Sequence, residues 1–409
     1  MTPAARLQAA IELYGDIIDR RVAADRTITS WFRTRRFAGS GDRRAITELV
    51  YTALRRRGEL AWSMEADTAR LVVLRASGEP VERLVELCSG TGYAPAVLDA
   101  AEQAALATER SGMSVWARVN CPEWLWPKFV ARFGDTTADE IAALAGRAPL
   151  DLRVNTLKAT RDAVLASFAA DGIAAEATPL SPTGIRLEAK LRLDANVLFL
   201  DGQIEPQDEA AQLASLLVDA RPGMTVVDAC AGAGGKTLAL AATMRNEGKL
   251  IALDRDRGRL ARLKDRAARA GATLAMVDEF DAAAAALAGK ADRVLLDVPC
   301  SGTGTWRRNP EARWHLTPED LDRHRERQAD LLRRGAGMVA SGGRLIYATC
   351  SVLPEEDEAV VDAFLAENQS FSRAEGLNLP PGVSGPDLVL TPLRHGTDGF
   401  FTAVLQRRA

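Results

Sequence analysis

Apolar positions recur at helical spacing from the start of the chain. Leu7, Ala10, Ile11, Tyr14, Ile17 and Ile18 share one face, and Ile46, Leu49, Val50, Ala53 and Leu54 repeat the pattern. Pro80 and Pro95 stand where helix starts tolerate proline. The pattern predicts an all-helical part over residues 1–140. It changes over 141–205. Asp151–Asn155 alternates like a strand, Arg161–Ala170 is helix-like, and turn residues at Asp171-Gly172 and Ser181–Gly184 bracket a short strand, Ile185–Leu187. This predicts a small α+β subdomain. From residue 206 to 409, short apolar runs alternate with helical patterns. The runs are Met224–Asp228, Lys249–Asp254, Thr273–Val277, Arg293–Asp297 and Arg344–Thr349; the helices include Arg257–Arg269 and Thr317–Ala340. Alternating β and α predicts an α/β domain with a parallel sheet covered on both faces. Ligands then bind beyond the carboxyl ends of its strands.

Composition narrows the class. The 409 residues are 47% hydrophobic and 26% charged, enough for extensive cores and against wholesale disorder. No apolar run reaches the length of a membrane span, and charges interrupt Met1–Arg20, so a cytoplasmic, membrane-free protein is expected. The five cysteines, Cys88, Cys121, Cys230, Cys300 and Cys350, form no CxxC. Neither a zinc knuckle nor a disulfide framework is indicated. His315, His324 and His395 lack ligand spacing, so no metal is expected. The net charge of −3 conceals a local excess: Met1–Arg57 holds 12 arginines against six acids, with Arg35 and Arg36 in its densest stretch. Such a patch can neutralise phosphates, and it can equally be a solvated helical surface.

A glycine loop follows the first strand of the third part: Asp228, Ala229, Cys230, Ala231, Gly232, Ala233, Gly234, Gly235, Lys236, Thr237. A Walker A reading needs glycine at 230 and finds cysteine. A GxGxxG dinucleotide reading needs glycine at 237 and finds threonine. An S-adenosylmethionine loop needs only glycines for close backbone approach, plus an acid ending the next strand to hold ribose hydroxyls. Asp254 is so placed, and Asp278 ends the strand after it. Cys300 and Cys350 carry more. Each falls just past a strand end, amid Gly, Ser and Thr, where functional loops sit. Cys88 and Cys121 read as packing residues, and Cys230 as loop backbone.

The segments DACAGAGGKT, LDVPCSGTGTWRRNP and YATCSVLPEEDE resemble three signature motifs of the Nop2/Sun family of RNA 5-methylcytosine methyltransferases. The likeness extends through GQIEPQDEAAQL (Gly202–Leu213), LRVNTLKA (Leu152–Ala159) and TDGFFTAVL (Thr397–Leu405), and so covers about residue 150 to the end. More weakly, the helical first part resembles a NusB-like RNA-binding domain. The resemblance implies a Rossmann-like methyltransferase domain over 206–409, S-adenosyl-L-methionine as cofactor, and RNA as partner. Small-subunit ribosomal RNA is the first substrate class and transfer RNA the second; a monomer is expected. It further implies Cys350 as nucleophile, Cys300 as the group assisting release, and Asp297 at the base. Cofactor contacts would come from residues 230–236, Asp254, Asp278 and Asp297. Arg307 and Arg308, with Arg35 and Arg36, would meet RNA. One departure concerns loop rigidity: Ala233 stands where the family usually has proline.

The chemistry suits these residues. Cytosine C5 is too electron-poor to attack a methyl group unaided, so a thiolate first adds at C6. Charge then moves toward N3, where Asp297 would share a proton, and a raised pKa is expected of such a carboxyl. The residues alone do not order the two cysteines, because DNA cytosine methyltransferases attack from a Pro-Cys motif like Pro299-Cys300. Two other classes compete: a phosphate-binding NTPase using Gly235-Lys236-Thr237, and a non-catalytic RNA-binding factor. Removing residues 1–140 is expected to weaken RNA binding and spare cofactor binding.

Overall fold

The computed structural model describes residues 1–188 and 191–409. The chain divides into two compact units. One is Met1–Arg147 with Thr305–Thr317; the other is Ala148–Gly304 with Pro318–Ala409.

The first unit is helical. Its main helices are Pro3–Asp19, Ala24–Thr34 and the 25-residue Ser40–Met64. Side-chain caps start several of them: Thr2 accepts from Ala5 N at 3.2 Å and Thr68 from Leu71 N at 3.3 Å, while Asp99 and Glu102 form a reciprocal capping box. Most of the apolar stripe read from the sequence is core: Leu7, Tyr14, Ile17, Ile46, Val50 and Leu54 pack together, nearly solvent-free, while Ile11, Ile18 and Leu49 are partly buried at its edge. Pro80 precedes the helix Val81–Leu87, as expected. Pro95 starts no helix. It lies in the stretch before Ala100–Ala107, where its carbonyl accepts from Gly90 N at 2.9 Å.

An unforeseen feature completes this unit. Thr305–Thr317 follows the Pro299-Cys300 loop and packs among the N-terminal helices. Trp306 is fully buried, edge-on to Phe129 at 5.4 Å. Arg313 is also fully buried, stacked over Trp306 at 4.8 Å, and donates to the Asn120 carbonyl at 3.1 Å. Trp314 donates its indole N–H to Leu54 O at 2.7 Å, and Glu311 accepts from Ala24 N at 3.0 Å. Burying one Trp side chain this way is worth about 3–5 kcal/mol against truncation. A chain lacking residues 1–147 is therefore expected to expose Thr305–Thr317 and be cut there by protease, at protease levels that leave the full chain intact. An uncut 305–317 in the shortened chain would show that the segment holds its shape without the helices.

The second unit carries two sheets. The smaller is antiparallel, in the order β2-β3-β1-β4, from β1 (Leu150–Val154), β2 (Ala175–Ala177), β3 (Gly184–Leu187) and β4 (Ile204–Pro206). The helix Arg161–Ala170 covers it, burying Val164 and Phe168 against Leu152, Val154 and Ile185. The larger sheet contains β5 (Thr225–Asp228), β6 (Lys249–Leu253), β7 (Ala275–Val277), β8 (Ala291–Asp297), β9 (Val339–Thr349), β10 (Phe371–Arg373), β11 (Leu388–Leu390) and β12 (Phe400–Arg407). Its order is β10-β12-β9-β8-β5-β6-β7, with β11 on β12. Strands β9-β8-β5-β6-β7 are parallel. Alternate residues feed two cores: Val227, Leu296, Tyr347 and Phe401 on one face, Val226, Leu295, Ile346 and Val404 on the other. That double burial explains the continuous apolar runs. The sheet is mixed, because β12 joins β9 antiparallel, Phe401 opposite Thr349. The chain order reverses at β5, whose neighbours are β6 and β8. Such a switch point is where an open α/β sheet binds ligands.

Candidate active site

The loops after β5, β6, β8 and β9 meet at one sheet edge around a cavity of about 860 Å³. Register places them: Asp228 lies opposite Leu295 of β8, and Asp297 opposite Ala348 of β9. Cys230, Ala231, Gly232, Ala233, Gly235 and Lys236 line the cavity, as do Asp254, Asp297, Cys300 and Cys350.

The glycine loop is built for close backbone approach. Gly232 has φ +55° and nothing within 4 Å of where a Cβ would stand, so its backbone lies bare. Its N–H donates to Asp254 Oδ2 at 2.9 Å, while Asp254 Oδ1 accepts from Asp256 N at 2.8 Å. Asp254 thus ties the loop to the end of β6. Gly234 faces the other way. At φ +88° its Cβ would fall 2.1 Å from Leu263 Cδ1, so only glycine lets the helix Arg257–Ala270 pack there. Ala233 does not leave the loop slack. Arg266 donates to the Ala233 carbonyl at 2.6 Å and pairs with buried Glu205 at 2.9 Å. An ionic brace stands where proline would have stiffened the chain.

Charge is concentrated beneath the loop. Burial pushes the Asp228 carboxyl up to about 6. Its Oδ2 accepts from Thr237 Oγ1 at 2.6 Å and its Oδ1 has no partner. Lys236 Nζ lies 2.6 Å from Asp297 Oδ2 and 5.0 Å from the centre of the Phe400 ring. Burial opposes the ammonium, but Asp297 outweighs it, so the lysine pKa is raised and its charge is kept. A Cys350 thiolate is among the other groups favouring that charge.

The two reactive thiols are neighbours, Cys300 Sγ to Cys350 Sγ being 3.4 Å. The hydrogen bond to Cys350, then burial, pushes the Cys300 thiol well above its ordinary range. Burial likewise raises Cys230, which fits a loop residue rather than a nucleophile. The loop after Cys350 is closely packed: Gly304 N donates to the Cys350 carbonyl at 2.9 Å, and Gly399 N to the Gly304 carbonyl at 2.8 Å. This is the place of the Thr397–Leu405 segment.

Two expected contacts are not in place. Asp278 is off the cavity wall, its carboxylate paired with Arg257; Phe280, two residues on, lines the wall instead. Arg307 is 6% exposed, and a guanidinium already packed into the fold does not face phosphates. Arg313, in the same run, is sealed over Trp306. Arg308 is half-buried, Arg35 lies 4.2 Å over the Trp31 ring, and Arg36 is exposed. Residues not singled out also take part. Phe280 and Arg327 line the cavity and stand in no motif, so no local signal marks them. Gln207, another wall residue, accepts from Arg153 Nε at 2.7 Å; it falls within the segment Gly202–Leu213 already noted.

A family profile described as 16S rRNA methyltransferase RsmB/F matches residues 215–406, and the ferredoxin-like domain of the RsmF/B-like methyltransferases matches residues 121–194. The probable ribosomal RNA small subunit methyltransferase B of Synechocystis is 34% identical over 319 residues, 75% of this chain and 71% of the relative. The chain belongs to the RsmB/F methyltransferase family. A Bacillus subtilis relative of the same description is 34% identical over 70% of this chain and 66% of its own length. The chain thus spans about two thirds of the length of these curated relatives. The crystal structure of PH0851 covers 100% of this RsmB/F-family chain and 99% of its own, at a TM-score of 0.82 and 27% identity. A methyltransferase homologue from Pyrococcus horikoshii covers 72% of this chain and 97% of its own, at a TM-score of 0.63 and 26% identity. The fold is that of a methyltransferase built on a largely parallel sheet, with a helical N-terminal region. Among the described residues no helix is long and apolar enough to cross a membrane, and no cluster is fit to hold a metal.

Proposed function

We propose that this protein is an S-adenosylmethionine-dependent methyltransferase forming 5-methylcytosine in RNA, with small-subunit ribosomal RNA as substrate. The observation that carries the reading is the pair of thiols 3.4 Å apart on the wall of the glycine-loop cavity, beside a Lys236–Asp297 ion pair. A phosphate-binding NTPase needs neither thiol. A non-catalytic RNA binder needs no such juxtaposition.

The bare backbone of Gly232 and the orphaned Asp228 Oδ1 fit a ligand with hydrogen-bond donors. Residues 230–236 would hold S-adenosylmethionine, with Asp254 on its ribose hydroxyls. When bound, that cofactor supplies a methyl group on a positively charged sulfur. The remaining work belongs to the chain. Cys350 adds to cytosine C6, which makes C5 nucleophilic. Lys236 and Asp297 hold a proton where charge develops at N3. Cys300 keeps its proton for release. We assign Arg308, Arg35 and Arg36 to RNA phosphates, and the helical unit, read as NusB-like, to RNA binding.

The test is incubation of the full chain with radiolabelled S-adenosylmethionine and small-subunit ribosomal RNA, in parallel with transfer RNA. Label in 5-methylcytosine of the ribosomal RNA is the expected result. Label only in transfer RNA would move the substrate, and label at no cytosine would end the reading. Asp254→Ala is expected to weaken S-adenosylmethionine binding by at least about tenfold in calorimetry. The change removes both a ribose acceptor and the anchor of Gly232, and each hydrogen bond to a charged group is worth about 1.5–3 kcal/mol.

A further inference from the structure

Cys300 sits between two peptide groups that are held from outside the cavity. On one side, Ser301 N donates to Glu356 Oε1 at 2.8 Å, and Ser301 Oγ donates to Glu356 Oε2. On the other, Gln328 Nε2 donates to the Pro299 carbonyl at 3.0 Å and to Glu356 Oε1 at 3.0 Å. Glu356 comes from the loop after β9, and Gln328 from the helix Pro318–Met338. Both are 0% exposed, and neither lines the cavity. A third element pins the clamp: Tyr347 Oη donates to the Glu356 carbonyl at 2.6 Å.

A carboxylate taken fully out of water is costly unless hydrogen bonds satisfy it. Here every recorded side-chain partner of Glu356 is a neutral donor, and each holds or adjoins the Pro299–Ser301 segment. A brace needing only shape would be cheaper as an amide or an apolar side chain. We propose that Glu356 is a positioning residue for the release half of the reaction, acting through Ser301 and Gln328 to fix where Cys300 points. It touches no substrate. Its charge adds to the causes holding the proton on Cys300, after the hydrogen bond to Cys350 and burial.

The inference rests on the proposed cytosine chemistry. In release, the C5–H electron pair becomes the C5=C6 double bond, and the C6–S pair departs on Cys350 Sγ. That sulfur takes the proton held on Cys300 Sγ, and the C5 proton restores Cys300. A Cys300 thiol displaced or deprotonated early leaves the adduct formed but unresolved.

The test uses the full chain with S-adenosylmethionine and a cytosine-containing ribosomal RNA. Covalent protein–RNA complex is read on a denaturing gel, beside turnover and cofactor affinity. Glu356→Gln is expected to bind cofactor within about twofold of wild type, to turn over about 10- to 100-fold more slowly, in line with a misplaced catalytic group, and to accumulate complex. Ser301→Ala, which removes one bond to the carboxylate, should do the same to a smaller degree and serves if Glu356→Gln fails to fold. Turnover lost with no accumulation, or turnover unchanged, overturns the proposal. Cys300→Ala runs alongside. If it too accumulates nothing, the proposed reaction is at fault and this inference falls with it; if it alone accumulates complex, only the role of Glu356 is refuted.

Discussion

Cys350→Ala will transfer no measurable methyl group and form no covalent complex with RNA, whereas Cys300→Ala will accumulate that complex. The sequence left the order of the two cysteines open, because both end strands of the same edge. Two features of the site separate them. Cys300 is held protonated by its hydrogen bond to Cys350 and by burial, so it is the poorer nucleophile. Cys350 is the sulfur whose charge bears on the Lys236 ammonium, which itself is fixed at 2.6 Å from Asp297. Loss of a nucleophile removes the route rather than slowing it, so a fall of at least about 10⁴-fold is expected for Cys350→Ala. Cys300→Ala keeps the addition and the methyl transfer but lacks the proton for departure. A denaturing gel with labelled RNA reads both variants. Complex formed by Cys350→Ala and absent from Cys300→Ala would reverse the assignment.

Gly304→Ala will cripple the enzyme without touching a reactive group. A Cβ at 304 would stand 2.1 Å from the Gly399 carbonyl oxygen and 2.8 Å from that of Cys350. Both are backbone atoms, so no side chain can swing aside. The backbone must open, breaking the bonds Gly304 N to Cys350 O and Gly399 N to Gly304 O. Overpacking of this kind costs about 1–3 kcal/mol, and a shift of about 1 Å at a reacting group costs about 100-fold in rate. The variant should therefore melt several degrees lower and retain about 1% of activity or less. Normal turnover in Gly304→Ala would mean that the nucleophile tolerates displacement of its own peptide.

Much of the catalytic unit was legible because its signals are local. Five parallel strands announced themselves as apolar runs, and in all but the exposed edge strand β7 burial on both faces removes the need for polar alternation. Asp254 was readable from its place at a strand end. The antiparallel strands β10, β11 and β12 were not, although Phe400–Arg407 lies in a segment already marked by resemblance. Nothing in its pattern says which neighbour it will pair with, or in which direction. Phe280 and Gln328 were missed as partners of the site for the same reason, Gln328 lying 29 residues from Pro299, and Glu356, although inside the quoted segment YATCSVLPEEDE, meets Ser301 55 residues away. Arg307 was expected at RNA from its place after the Pro-Cys motif, and nothing in that short window shows that it is buried. Arg313, six residues on, is sealed over the buried Trp306 ring.

By itself the sequence determined which residues can do chemistry and in what order they occur: a glycine loop, an acid at the next strand end, and two thiols past later ones. Periodicity and residue type are properties of a short window, so they survive without a fold. Only the tertiary structure decided how those residues come together. The 3.4 Å between two sulfurs and the 2.6 Å between Lys236 and Asp297 depend on which strands lie side by side. So do the hydrogen bond to Cys350 and the burial that push the Cys300 thiol up. Electrostatics at those distances changes steeply with position, and position is fixed by packing that no short window contains. The same holds for Thr305–Thr317, written as a continuation of the catalytic motif and folded as part of the helical unit.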